Sequence, residues 1–233
     1  MSDRQLLHLL QLSSPMLPVG GYSYSEGLEY LVEQKIIGDR QQLYSWIEQE
    51  LRYGSIRTET AVMVRAYQGK RQEARGKEKR GREEEELVYW NEWFSAVRET
   101  KELRQQSWQM GQSLLKLLVS LEPDLAAIAK HIGNPCNYPI AFSIGAAHWQ
   151  IDLETAAIAY LQSWATNLIS AGVKLIPLGQ TAGQHILQDI AEVIAIAKTE
   201  ILALKDEELG SCGWGLTLAS MAHETQYTRL FRS

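Results

Sequence analysis

The side chains able to hold metal or act as nucleophiles are few and scattered. The chain has five histidines (His8, His131, His148, His185, His223) and two cysteines, Cys136 and Cys212. No two of them stand three or four residues apart, the spacing that puts two ligands on one helical face. His131 and Cys136 flank a Gly-Asn-Pro turn, where a histidine closing a helix and facing its last carbonyls accounts for the pattern better than a ligand pair. His223-Glu224 opens like a zincin helix, but Tyr227 stands where the second histidine belongs. Gly21-Tyr22-Ser23-Tyr24-Ser25 starts like a nucleophile elbow and ends in serine, with no strand before it. No Gly-Lys-Ser/Thr occurs, so the chain has no P-loop, and Gly210, Gly213 and Gly215 are in the wrong order for a dinucleotide fingerprint. Paired carboxylates are numerous and read as solvated polar faces. Resident metal and nucleotide chemistry are therefore not expected.

Two segments stand out, the first of which can also be read as a loop and helix cap. Ser14 to Glu29 packs two prolines, three glycines and two tyrosines around a helix start. His223 to Ser233 sets Leu230 and Phe231 between Arg229 and Arg232, an apolar anchor in a terminal stretch that would normally be polar.

The elements that must position these segments are helical throughout. Residues 4–12 form an amphipathic helix. Ser23-x-x-Glu26 fits a capping box opening a helix that ends near Ile37, and Asp39-x-x-Gln42 opens the next, with Leu43, Trp46, Ile47 and Leu51 on one face. Another helix covers 55–67. The acidic run Glu83 to Glu86 suits the first turn of a long helix whose apolar period continues past Trp108 toward Leu121. Pro123 starts a short helix ended by Gly133-Asn134-Pro135. Tyr138 to Trp149 is rich in small residues, Asp152 caps a helix reaching Gly172, and Thr181-x-x-Gln184 resembles a further capping box. The spacing predicts an all-α, single-domain bundle of eight to ten helices over residues 1–204, with a C-terminal docking tail over 205–233.

Composition agrees with that fold and narrows the function. Of 233 residues, 45% are hydrophobic, ample for one continuous core, and two cysteines fit a reducing cytosol rather than a disulfide scaffold. No run supplies the roughly 18–20 apolar residues of a membrane span, and the leucines of 6–12 cluster on one face, unlike a secretory segment. A cytoplasmic location with no membrane partner is expected. The formal charge of −5 argues against a dedicated nucleic-acid binder. Residues 70–82 carry seven basic and two acidic side chains, so the rest of the chain is at −10. That stretch has no large apolar side chain, and the segment 69–86 is expected to be a mobile charged loop.

The chain resembles the UreF family of urease accessory proteins. The resemblance rests on Leu7 to Leu12, Ser14 to Glu29, Glu102-Leu-Arg-Gln-Gln-Ser107 with Gly111, Tyr138-Pro-Ile-Ala-Phe142, Leu175-Ile-Pro-Leu-Gly-Gln180 and Arg229-Leu-Phe-Arg-Ser233. It covers nearly the whole chain except 70–86. It implies a non-enzymatic, homodimeric nickel-insertion scaffold that bridges UreD (UreH) and the GTPase UreG, so that nickel passes through the complex into apo-urease without being held tightly. By position, Glu29 and Lys174 match the UreG-facing surface. The tail, with His223, Glu224, Arg229, Leu230, Phe231 and Arg232, matches the segment that docks on UreD. The resemblance also implies control of GTP hydrolysis by UreG. As a plain GTPase activator the chain would offer Arg57, Arg65, Arg98 or Arg104 as an arginine finger, and nothing in the sequence selects one. The competing reading is an α-helical metal-dependent hydrolase with an unrecognised site.

Overall fold

A computed structural model describes residues 1–71, 80–210 and 213–233. Among the described residues there are eleven α-helices and no strand: α1 Asp3–Leu12, α2 Leu28–Glu33, α3 Arg40–Tyr53, α4 Ser55–Arg71, α5 Arg80–Val97, α6 Lys101–Leu121, α7 Ala126–Ile132, α8 Tyr138–His148, α9 Leu153–Leu175, α10 Gln180–Ala203 and α11 Trp214–His223. The all-α class is as the periodicity requires. No helix among the described residues is long and apolar enough to cross a membrane.

The bundle is built around α8. Pro139 through Ala146 are buried without a break, so this helix is apolar on every side and sits between α4 and α6. Its entry needs a close approach: a Cβ on Gly111 of α6 would lie 2.3 Å from the Cys136 carbonyl oxygen. Around this centre α9 packs on α10, and α10 on α3. Short-range signals placed several helix starts correctly. Asp39 accepts from the Gln42 N–H at 2.8 Å, and Asp152 accepts from Glu154 and Thr155.

Three local expectations need correction. Ser23 does not cap α2. Glu26 takes φ +53° and Gly27 φ +80°, the chain reverses, and α2 starts at Leu28 and closes at Glu33, short of Ile37. Gly27 is required there, because a Cβ would lie 2.9 Å from the Ser220 nitrogen of α11. The long helix expected through Trp108 breaks at Arg98-Glu99-Thr100. Thr100 caps α6 by accepting from Leu103, and Arg98 turns inward to Glu59. Helix α10 begins at Gln180 behind Gly179, so Thr181 lies inside the helix. The stretch 205–233 holds α11. Of the expected mobile loop over 69–86, residues 72–79 lie outside the described residues, while 69–71 and 80–86 are helical, as the ends of α4 and α5.

Candidate functional site

The two segments singled out in the sequence lie against each other. The tail after α11 turns back and hydrogen-bonds to the Ser23–Glu29 stretch. Arg232 donates its main-chain N–H to the Ser23 carbonyl at 2.9 Å, and the Ser25 N–H and hydroxyl both donate to the Ser233 carbonyl, at 2.7 and 2.6 Å. The Ser233 hydroxyl continues to Gln106 of α6 at 2.6 Å.

Glu29 is the centre of this junction. One carboxylate oxygen accepts the Leu230 N–H at 2.6 Å and the other accepts the Phe231 N–H at 2.9 Å. His223, at 0% exposure, places Nε2 3.3 Å from Glu29 and Nδ1 2.8 Å from Glu102 of α6. The second Glu102 oxygen accepts from the Arg229 guanidinium at 2.9 Å. Phe231 is buried, and the Lys174 ammonium stands 5.7 Å from its ring centroid. Five sequence-predicted residues (Glu29, His223, Arg229, Leu230, Phe231) thus share one network, with Lys174 over it. Arg232 points beside Tyr24, whose hydroxyl is pushed up by burial and drawn back by that guanidinium. Glu224 is exposed and stands apart.

Next to the junction is an exposed apolar stripe, in a region whose sequence shows no long apolar period. Trp214, Leu218 and Met221 are 73%, 61% and 55% exposed at helical spacing on α11, and Tyr227 and Leu230 extend it along the tail. The 214/218/221 spacing was legible, but glycines at 210, 213 and 215 mask it.

Carboxylates hidden in the interior were also overlooked. Glu26 accepts from Gln106 at 2.8 Å and from the Trp164 indole at 2.9 Å. Glu59 accepts from the Tyr160 hydroxyl at 2.5 Å and pairs with Arg98 at 3.0 Å. Glu50 is buried without a partner for Oε2 among the described residues, and burial, with Glu26 and Glu99 nearby, pushes its carboxyl up to about 8. Burial pushes the Glu59 carboxyl up and Arg98 opposes it. Glu26, Glu59, Arg98, Tyr138, Tyr160 and Trp164 line a cavity of about 30 Å³, roomy enough for a water or two. The signal was available: Glu50 follows Ile47 by three, and Glu59 follows Ile56 by three, both on the apolar faces of their helices. Of the four arginine-finger candidates, Arg98 is inside the core on Glu59, and Arg57 and Arg65 pair with Glu200 and Asp206. Arg104 stacks over Trp108.

Among the described residues no group of three or more His, Cys, Asp or Glu could hold a metal ion. His131 pairs with Glu84, while Cys136 is buried and donates weakly to a carbonyl, so the two do not form a ligand pair. The arrangement sets a buried polar junction beside an exposed apolar stripe, and among its described residues no nucleophile stands beside a base.

The UreF family profile matches residues 37–191. A protein of Nostoc named urease accessory protein UreF is 58% identical over 233 residues, covering 100% of this chain and 98% of the relative. Proteins of the same name from Microcystis aeruginosa and Alkalilimnicola ehrlichii are 53% and 41% identical, covering 100% and 97% of this chain and 100% and 94% of the relatives.

Proposed function

This chain belongs to the UreF family of urease accessory proteins, and from that premise we propose that it is the scaffold joining two partners in urease maturation. The family is one of accessory, chaperone-type proteins rather than enzymes, so the hydrolase reading is set aside. In the proposed role the tail and the α11 stripe hold UreD (UreH), and the surface around Glu29 and Lys174 receives the GTPase UreG. The assembly supports GTP-dependent nickel loading of apo-urease in the cytoplasm, with the chain as a homodimer that modulates hydrolysis by UreG. Nickel is cargo here, handed through the complex and not retained by this chain.

The observation that carries the reading is the shared junction. Phe231 rests beneath Lys174 while its N–H sits on Glu29, so a partner gripping the tail and one touching Lys174 contact the same few residues. A scaffold couples two partners through an element that both of them bias, and a shared junction would serve as such an element. The exposed stripe of Trp214, Leu218 and Met221 supplies the apolar area a protein interface requires. Co-purification tests the reading: the tagged chain co-expressed with UreD and UreG retains both. Retention of neither would overturn it.

A further inference from the structure

We infer that Gln106 is a positioning residue that ties the docked tail to the buried carboxylate of Glu26, so that the two partner faces are joined a second time, through the interior. This rests on the proposed assignment of the tail and of Lys174 to different partners, while its geometry belongs to the chain alone. Gln106 of α6 is buried, and its amide is divided between tail and core. Oε1 accepts the Ser233 hydroxyl at 2.6 Å, and Nε2 donates to Glu26 at 2.8 Å. The other Glu26 oxygen accepts the indole N–H of Trp164, on α9, at 2.9 Å. Ser233, Gln106, Glu26 and Trp164 thus form one continuous line of hydrogen bonds from the tail to α9. Its direction follows from the donor inventory. A carboxylate only accepts, so the amide must turn its nitrogen to Glu26, which leaves its oxygen for the Ser233 hydroxyl. A reversed amide would set oxygen against oxygen.

The backbone adds a second grip on the same residue. Glu26 takes φ +53°, a left-handed conformation that is strained for a residue with a side chain and persists where the surroundings hold it. Among the described residues Lys35 and Gln150 also take positive φ, but both are exposed, whereas Glu26 is buried. Ser25, the residue before it, donates its N–H and its hydroxyl to the Ser233 carbonyl. The docked tail therefore holds Glu26 by its main chain through Ser25 and by its carboxylate through Gln106. On the far side, Glu26 shares its cavity with Glu59 and Arg98, and Trp164 lies on the helix that carries Lys174 in its last turn. A partner that lifts the tail removes both grips on Glu26, and the change reaches α9, where the second partner is received. The contact of Lys174 with Phe231 is the first connection between the faces, and this buried line is the second.

A double-mutant cycle on the full chain with no partner tests the connection. Ser233→Ala removes the hydroxyl and leaves the main-chain carbonyl that Ser25 holds. Trp164→Phe removes the far end of the line; its single indole N–H is on Glu26, so no hydrogen bond of the tail is deleted. The readout is hydrogen-exchange protection of the Leu230 and Phe231 amides, with urea denaturation establishing that the body of each variant is folded. Each single variant should lower protection by about two- to tenfold, the range for one hydrogen bond. The double variant should lose less than the product of the two, because either break interrupts the same line. Unchanged protection in Trp164→Phe, or losses that multiply, overturns the inference. If Trp164→Phe fails to fold, the ¹⁵N–¹H signal of the Trp164 indole decides: it should move in Ser233→Ala, and a signal identical to wild type overturns the inference. Co-purification with UreD and UreG tests the scaffold reading separately, and retention of both partners alongside losses that multiply would leave that reading standing on the surface contact alone.

Discussion

Glu29→Gln isolates what holds the tail to the body. The amide has nearly the shape of the carboxylate, so packing around a side chain of 7% exposure is preserved. It has one acceptor oxygen where the carboxylate has two. The Leu230 and Phe231 N–H groups sit on different oxygens, at 2.6 and 2.9 Å, so one of them must face an NH₂ donor. The His223 contact on the same oxygen as Phe231 is weakened as well. A hydrogen bond to a charged group contributes about 1.5–3 kcal/mol, and a buried donor left unpaired costs on the order of 1–3 kcal/mol. We take about 2–3 kcal/mol in total against docking, which at about 1.4 kcal/mol per decade is roughly 30- to 150-fold in the tail's opening equilibrium. Hydrogen exchange at Leu230 and Phe231 reads this directly, and urea denaturation followed by far-ultraviolet circular dichroism reads the body. The expected outcome is fast exchange confined to the tail and α11, with the main unfolding transition little changed. Unaltered protection at both amides would show that Glu29 is not what holds the tail.

Other consequences concern the interior and the UreG-facing surface. Burial raises the Glu50 carboxyl to about 8, so the folded chain keeps a proton that the unfolded chain releases from about pH 4.5 upward. Stability should fall as pH rises between those values, by on the order of 5 kcal/mol if the whole shift is expressed, and level off above. Denaturation midpoints across that range should show the slope in wild type and a reduced one in Glu50→Gln. Gly111→Ala forces a Cβ to within 2.3 Å of the Cys136 carbonyl oxygen and should lower the melting temperature by several degrees or prevent folding; an unchanged melting temperature would mean that α6 and α8 separate at little cost. Lys174→Ala removes the ammonium over Phe231 but no tail hydrogen bond, so capture of UreG should weaken while UreD binding is spared; equal loss of both in a pull-down would contradict the division of surfaces.

Much of this fold is local, and the local part could be read. Asp39 and Asp152 cap their helices through bonds to residues two or three positions ahead, and the leucine spacing of α3 and α6 needs nothing distant to interpret. Two of the places where that reading failed depend on remote partners. Glu26 would complete a capping box if left to its neighbours, but Gln106 and Trp164, far along the chain, draw its carboxylate inward. Arg98 breaks a continuous apolar period because Glu59 of α4 pairs with it in the core. The site shows the same division. The types and positions of Glu29, Lys174 and the tail residues marked them out through family resemblance. That they meet was not legible, because the contact between Glu29 and Phe231 spans 202 positions. The exposed face of α11 was hidden for a different reason: its three apolar side chains sit among glycines that read as loop.

The claim that the two partner surfaces share one junction is tested most directly by removing half of it. A three-way pull-down would compare the full chain with a form lacking residues 224–233, each with UreD and UreG, after circular dichroism has established that helical content is retained. Loss of the tail removes Arg229 from Glu102, Phe231 from beneath Lys174 and both N–H groups from Glu29. The account predicts that the shortened chain retains neither UreD nor UreG. Capture of UreG at the level of the full chain, with UreD lost, would show that the surfaces are independent and would contradict it.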